Sequence, residues 1–371
     1  MIDENKTTTT DTSNNIVDDD PVAESQSETA RSRRIKIIAE LEKERGGTHV
    51  ISFVTGTRTG LDFPIAMDAV RKVYDHLKLI KEKDNNPKID LFIHSNGGDG
   101  VVPWKLVTLI REYTNEFKIL VPHKAFSAAT LISLGSDGII MHPMGMLGPT
   151  DPTVTNPFNP QNPRNPNELL GISVEDVSAY VNLIKEDFGI THEDELVQCI
   201  NILAEKVHPL ALGNVKRFHA QSRMLAKKLL RLHIKDGEDH KINKIVDSLT
   251  SKLFFHGHPI NRKEAKDDLD LKIESSSDKI ESLMWDLYLE YEKEMLLDKA
   301  FNPVDEFMQT HHSLEANKSA TKDMDKIKGV YVESVNKVDV YAVDFQIVGA
   351  KLPNGITQTQ LIKKGEGWES E

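Results

Sequence analysis

One cysteine, Cys199, stands in a chain of 371 residues. Without a second thiol no internal disulfide can form, and such sparing use fits a reducing compartment. On the helical run LVQCINIL that residue reads as a small apolar side chain rather than a reactive thiol. Long apolar runs are missing as well: none approaches the ~18–20 residues that a membrane helix needs, and the acidic start is the opposite of a signal peptide's basic n-region. We therefore expect a cytoplasmic, soluble protein with no transmembrane segment. Positive charge is also scarce, with 46 Lys and Arg against 58 Asp and Glu. No stretch offers the continuous basic face that phosphate-backbone binding requires, so nucleic acid is excluded as a partner. The acidity is uneven. Residues 1–30 hold eight acids against Lys6 alone and lack aromatics, which makes them a disordered acidic tail by expectation.

What remains is apolar enough, at 39%, to bury one large core plus appendages. Helical spacing runs from Arg31 to Arg45 and stops at Gly46-Gly47. The β-branched run HVISFVTG, from His49 to Gly56, predicts a strand, and FPIAMDAVRKVYDHLKLIKEK predicts a helix opened by Pro64. IDLFIHS is apolar almost throughout, as a strand covered on both faces should be. Strands alternating with helices imply βαβ crossovers and a largely parallel sheet. Asn156 to Asn167, rich in proline and asparagine, reads as a loop. Beyond it come helices over Val174–Phe188, Glu193–Val207 and the basic segment from Pro209, then the Ile280–Met308 helix interrupted at Pro303. The alternating runs GVYVESV and VDVYAVDFQIVG suggest a small C-terminal β addition, with GEGWESE as a loose tail.

The stretch Leu91–Pro152 concentrates the chemistry. An apolar strand ends in Gly97-Gly98 and a helix follows from Val102 to Tyr113, with Trp104 as a packing residue. The next strand, KILV, delivers Ser127 into HKAFSAAT at the start of another helix. Ser127 admits two readings: an N-cap, or a nucleophile whose following N–H, that of Ala128, helps to hold an oxyanion. A double glycine at a strand end is equally a turn or an oxyanion loop.

Taken together, strand-Gly-Gly-helix-strand-Ser-Ala-helix, then GIIMHPMGMLGPTDP, PLALG and FFHGHPINRKEAKDDLDLKI, resemble the Clp-protease/crotonase superfamily. Within it the chain is most similar to the serine dehydrogenase proteinases, relatives of the Clp proteolytic subunit and of signal peptide peptidase A. The similarity runs from about residue 35 to about 273, with Ala129 where the family has glycine. It implies an α/β fold, a Clp/crotonase-like spiral of ββα units with a mostly parallel sheet. The domains expected are a tail at 1–30, a peptidase domain at 31–275 and a C-terminal helix and β-hairpin extension at 276–371.

The resemblance also implies a serine endopeptidase working on a peptide or protein substrate, with no metal and no cofactor, as a homo-oligomer. Its triad would be Ser127, Asp151 and His256, the last two having exchanged the loops that supply them in the Clp subunit. Gly97, Gly98 and Ala128 would form the oxyanion hole. His208 and His258 are alternative bases, while His123 and His142 lie near Ser127 in sequence. A Ser–Lys dyad would have to use Lys216. Two other functions stay open on the same fold: an acyl-thioester-binding crotonase relative, and a non-catalytic scaffold.

Overall fold

The computed structural model describes residues 28–150, 153–154, 156–163, 165–252 and 258–370. The acidic tail through residue 27, and both Asp151 and His256, lie outside the described residues.

The main sheet has nine strands: β1 (His49–Thr55), β2 (Lys88–His94), β3 (Glu116–Val121), β4 (Gly138–Met141), β5 (Ile273–Glu274), β6 (Ser319–Asp323), β7 (Ile327–Ser334), β8 (Lys337–Lys351) and β9 (Thr357–Ser370). It divides into two halves. In spatial order β5, β4, β3, β2 and β1 are all parallel. From β1 onward every pairing is antiparallel: β7 on β1, then β8 on β7, with β6 and β9 also on β8. The α/β class expected from the sequence is what the chain adopts.

The eleven described α-helices include α1 (Ala30–Glu44), α2 (Asp68–Lys83), α3 (Val102–Tyr113), α4 (Ala128–Leu134), α5 (Val174–Asn182), α6 (Glu193–Lys206), α7 (Pro209–Leu230), α8 (Asp239–Asp247), α9 (Arg262–Asp267), α10 (Asp278–Met295) and α11 (Pro303–His311). Strand pleating sorts the core into two layers. Ile51, Phe53, Leu91 and Ile93 face the layer that buries the apolar sides of α2, α3, α4, α7 and α8. Val50, Val54 and Phe92 face the other layer, against α1 and α10. In that second layer Arg34 of α1, 3% exposed, pairs with the fully buried Glu333 of β7 at 2.6 Å, and Tyr291 of α10 donates to the same carboxylate at 2.8 Å. A buried pair of this kind adds little net stability, but removing one partner strands a charge, so it fixes how α1, α10 and β7 meet.

Three local expectations change. GEGWESE is not a loose tail: it forms the end of β9, in register with β8 through pairs such as Tyr341↔Trp368. The proline-asparagine run is not entirely loop, because Gln161–Asn162 pairs with Asn165–Leu169 in a short hairpin. Cys199 is half-buried, on a helix, α6, that buries none of its described side chains. Among the described residues no helix is long and apolar enough to cross a membrane.

Candidate active site

A second, three-stranded sheet assembles the site. Lys124–Ala125 runs parallel to Met146–Leu147, which runs antiparallel to Ile260–Asn261. In sequence, Ser127 follows Ala125 by two residues, Asp151 follows Leu147 by four, and His256 precedes Ile260 by four. One further bond draws these flanks together, since Thr150 N–H donates to Leu249 O at 3.1 Å. Ser222 of α7 donates to Thr150 O at 2.7 Å from the other side. The residue before Asp151 and a residue upstream of His256 are therefore in direct contact.

Ser127 has φ 50° and ψ −110°. Only four non-glycine residues among those described have positive φ. In this region an L-residue with a Cβ costs on the order of 1–3 kcal/mol, so the surrounding structure must impose it. The residue occupies the N-cap position of α4, yet its side chain makes no cap hydrogen bond. Of the two readings open from sequence, the hydroxyl is not spent as a cap. Such a sharp strand-to-helix turn projects a serine Oγ away from the backbone.

The glycine turn is pressed against this serine. Gly97 has φ 112°, and a Cβ added to it would lie 2.8 Å from Ser127 Cβ and 3.2 Å from Ala128 N. Gly98 is held from the far side by Ile65: Ile65 N–H donates to Gly97 O at 2.7 Å and Asp99 N–H donates to Ile65 O at 2.8 Å. A Cβ on Gly98 would collide with the Ile65 main chain. That pairing turns the Gly98 N–H away from Ile65. Ala128 begins a helix, where an N–H has no intrahelical acceptor. Among the described residues neither the Gly98 nor the Ala128 N–H has an acceptor.

Two residues missed by the sequence reading brace the arrangement. Ser95, fully buried, accepts from Gly97 N–H at 3.0 Å and from Thr55 Oγ1 at 2.8 Å, and its main chain pairs with Lys124 and Phe126. It ties the glycine turn to the serine turn. Thr130, also fully buried, lies 2.7 Å from Ala125 O and 2.9 Å from Gly148 O and accepts from Gly148 N–H at 3.1 Å. It couples the serine turn to the segment leading to Asp151. A hydroxyl at the end of an otherwise apolar strand, and another inside SAATLISL, were the available signals.

The histidines divide sharply. His208 is exposed, its Nδ1 caps α7 by accepting from Leu210 N–H at 3.1 Å, and its ring stacks on Phe158. Its described contacts do not reach Ser127. His258 Nε2 lies 2.7 Å from Glu264 Oε1, an occupied pairing one turn into α9. His123 and His142 face α10 instead: His123 Nδ1 is 3.0 Å from Tyr288 Oη, and His142 stacks on Trp285. Burial, with Lys124 and His142 nearby, pushes His123 down to about 4, and burial also lowers His142. His94 is buried beside His123 and held well below its ordinary value, mainly by burial. Lys124 N–H donates to its Nδ1 at 3.2 Å, so the neutral ring carries its proton at Nε2, toward Thr57 Oγ1 at 3.0 Å. Lys216 lines an open basic groove on α7 with Arg223, Lys227 and Arg231. Trp104 packs against the core beneath Lys228.

Residues 21–162 match the family of ClpP-like SDH-type serine proteinases. This is the family that the sequence resembles, and the match takes in Gly97, Gly98, Ser127, Ala128 and Asp151 but none of the three candidate bases. Two uncharacterized proteins of Methanocaldococcus jannaschii, MJ0137 and MJ1495, are 32% and 30% identical over 121 and 122 residues, each alignment covering 32% of this chain. The chain spans about two fifths of the length of these relatives, 42% and 41%. Similar solved structures include a serine-to-alanine mutant of the 1510-N membrane-bound stomatin-specific protease, 17% identical over 62% of this chain and 81% of that one, TM-score 0.36. An asparagine-to-aspartate mutant of ClpP1 from Listeria monocytogenes is 13% identical over 65% of this chain and 99% of its own, TM-score 0.33. The match ends at residue 162, so the helices from α5 onward and the strands from β5 onward lie outside it.

Proposed function

We propose that the chain is a serine peptidase with Ser127 as nucleophile. The observation that carries this is the strained, uncapped Ser127 turn packed against Gly97, with the Gly98 and Ala128 N–H groups free of acceptors among the described residues. The family match supports the same class. His256 takes the Ser127 proton as the hydroxyl attacks the peptide carbonyl, and returns it to the leaving amine; water then enters by the reverse sequence and releases the acyl group. Asp151 orients the imidazole and stabilises its charged form. The Gly98 and Ala128 N–H groups receive the charge that develops on the carbonyl oxygen. The hydrogen bond between Thr150 and Leu249 supports this assignment, because it joins the segments that carry the two partners. His208, which caps α7, and His258, which faces Glu264, are the alternative bases.

An acyl-thioester-binding relative would use the same pair of N–H groups but would have no need of a strained serine, so the backbone of Ser127 favours covalent catalysis. A homo-oligomer in the cytoplasm belongs to this reading, and sedimentation of the full chain tests the assembly. The deciding experiment is labelling by a serine-reactive fluorophosphonate together with hydrolysis of an unfolded protein substrate. Ser127→Ala is expected to abolish both, with hydrolysis falling by about 10⁴-fold or more. Unchanged labelling and hydrolysis in that variant would sink the assignment.

A further inference from the structure

A cavity of 340 Å³ lies between the Leu61–Ala69 segment and the C-terminal strands. One wall is the segment Leu61–Ala69, the other is β8 and β9. Phe63, Tyr341, Phe345 and Trp368 supply aromatic faces. The volume falls within the range of small-ligand and side-chain pockets, which are mostly apolar with a few placed polar groups.

Its ionisable groups are acidic apart from Lys363, and most are already used. Asp68 accepts from Trp368 Nε1 at 2.7 Å, and Glu366 accepts from Lys363 at 2.7 Å and from the Tyr341 hydroxyl. These bonds hold the aromatic rings in place. Asp62 differs: its described side-chain bond is one oxygen accepting from Asn96 Nδ2 at 2.9 Å. That leaves a carboxylate oxygen at the wall of an aromatic cavity. Aromatic faces attract cations, and the protein does this itself here, with Lys72 Nζ 5.7 Å from the Trp368 ring centroid.

The cavity is also joined to the glycine turn. Pro64 and Ala66, in its wall, flank Ile65, the residue whose main chain holds Gly97 and Asp99. Asn96, which donates to Asp62, immediately precedes Gly97.

We infer that this cavity is a side-chain pocket for arginine or lysine of a polypeptide, the aliphatic stem lying between the aromatic rings and the cationic tip on Asp62. As a specificity pocket it rests on the peptidase reading, but as a binding site it can be tested without catalysis.

The probe is butylguanidinium, compared with its neutral counterpart butylurea, titrated into the full chain and followed by tryptophan fluorescence. Saturable binding of butylguanidinium is expected, with butylurea about tenfold weaker, the loss typical of one charge-assisted contact and one cation–π contact. Trp368→Phe should remove the fluorescence change. Asp62→Asn keeps an acceptor for Asn96 and should bring the two probes to equal affinity. Ala66→Phe, which fills the cavity from a half-buried position, should abolish binding; an unchanged melting temperature would show that the variant is folded. Equal binding of both probes by the native chain, or discrimination that survives Asp62→Asn, would overturn the proposal.

Peptide cleavage separates this inference from the one beneath it. Ser127-dependent hydrolysis without preference for arginine or lysine would remove the pocket and leave the peptidase. Probe binding that persists in Ser127→Ala, in a chain that never hydrolyses peptides, would leave the pocket and remove the peptidase.

Discussion

Away from the Ser127 turn the molecule contains a buried serine–histidine–aspartate cluster, and the two places contrast. At the junction of α2 with the antiparallel half, Ser334 Oγ lies 2.8 Å from His76 Nδ1, and His76 Nε2 lies 3.2 Å from Asp339 Oδ2. Ser334 is 3% exposed, and His76 and Asp339 are fully buried. Asp339 also receives Lys72 at 3.2 Å, and Lys337 and Ser370 as well. Burial alone would raise its pKa, but the bonds from His76, Lys337, Ser370 and Lys72 hold it well below the usual carboxylate range. The cluster is buried, and the Ser334 hydroxyl is committed to the imidazole. It joins α2, β7, β8 and β9. At Ser127 the backbone is strained, the hydroxyl does not cap its helix, and two N–H groups beside it lack acceptors among the described residues. Connectivity alone therefore does not mark a nucleophile. What distinguishes Ser127 is bonding capacity left unspent at a place the fold holds under strain.

The largest effects test that contrast directly. Ser127→Ala should remove activity, whereas Ser334→Ala should leave fluorophosphonate labelling and turnover unchanged and lower stability by about 1 kcal/mol, read by denaturant unfolding. Labelling lost in Ser334→Ala and kept in Ser127→Ala would reverse the assignment. Gly97→Ala comes next. Its methyl would press on Ser127 Cβ at a backbone angle unfavourable to alanine, so kcat should fall by about 10²-fold or more, the scale of losing one oxyanion donor. Thr130→Val should cost about 1–3 kcal/mol, because the buried Gly148 N–H and the Ala125 and Gly148 carbonyls lose their partner, and kcat should fall with it.

The smallest effects are in pH. His94, buried, and His123, half-buried, are neutral rings with pKa below the ordinary ~6.5, so the stability they contribute is fully present above that value. It is lost progressively as pH falls from there toward about 4, where His123 titrates in the folded state. Asp339 acts later: its folded pKa lies below the unfolded ~3.9, so its contribution persists above pH ~4 and is lost as pH falls further. Melting temperatures taken from pH 7 to 3 should therefore decline in two stages. His123→Phe should flatten the upper one and Asp339→Asn the lower. A single stage that neither variant alters would contradict both.

Much of the fold could be read locally. Val102–Tyr113 is a helix to the residue, and the parallel strands at His49, Lys88 and Glu116 follow apolar β-branched runs whose two faces are both covered. Ser127 and Gly97-Gly98, each alone equally an N-cap or a plain turn, were candidates because their combination resembles a known family. Ser95 and Thr130 left only a faint signal, a hydroxyl among apolar residues, and Ile65 none. Each acts through a hydrogen bond to a residue distant in sequence or, for Thr130, to a carbonyl across a turn, and no periodicity encodes such a partner. The long C-terminal strands were underestimated for a related reason: alternation marks a strand, but only pairing shows that residues through Ser370 belong to the sheet that begins at His49.

By itself, then, the sequence determined the α/β alternation, the glycine and serine turns and the absence of an internal disulfide. These follow from short-range sterics, from apolar spacing and from what the composition lacks. Tertiary structure alone decided that Ser127 is strained and uncapped while Ser334 is buried and satisfied. The two serines differ in what the rest of the chain places around them: Gly97 and its neighbours at one, His76 and Asp339 at the other.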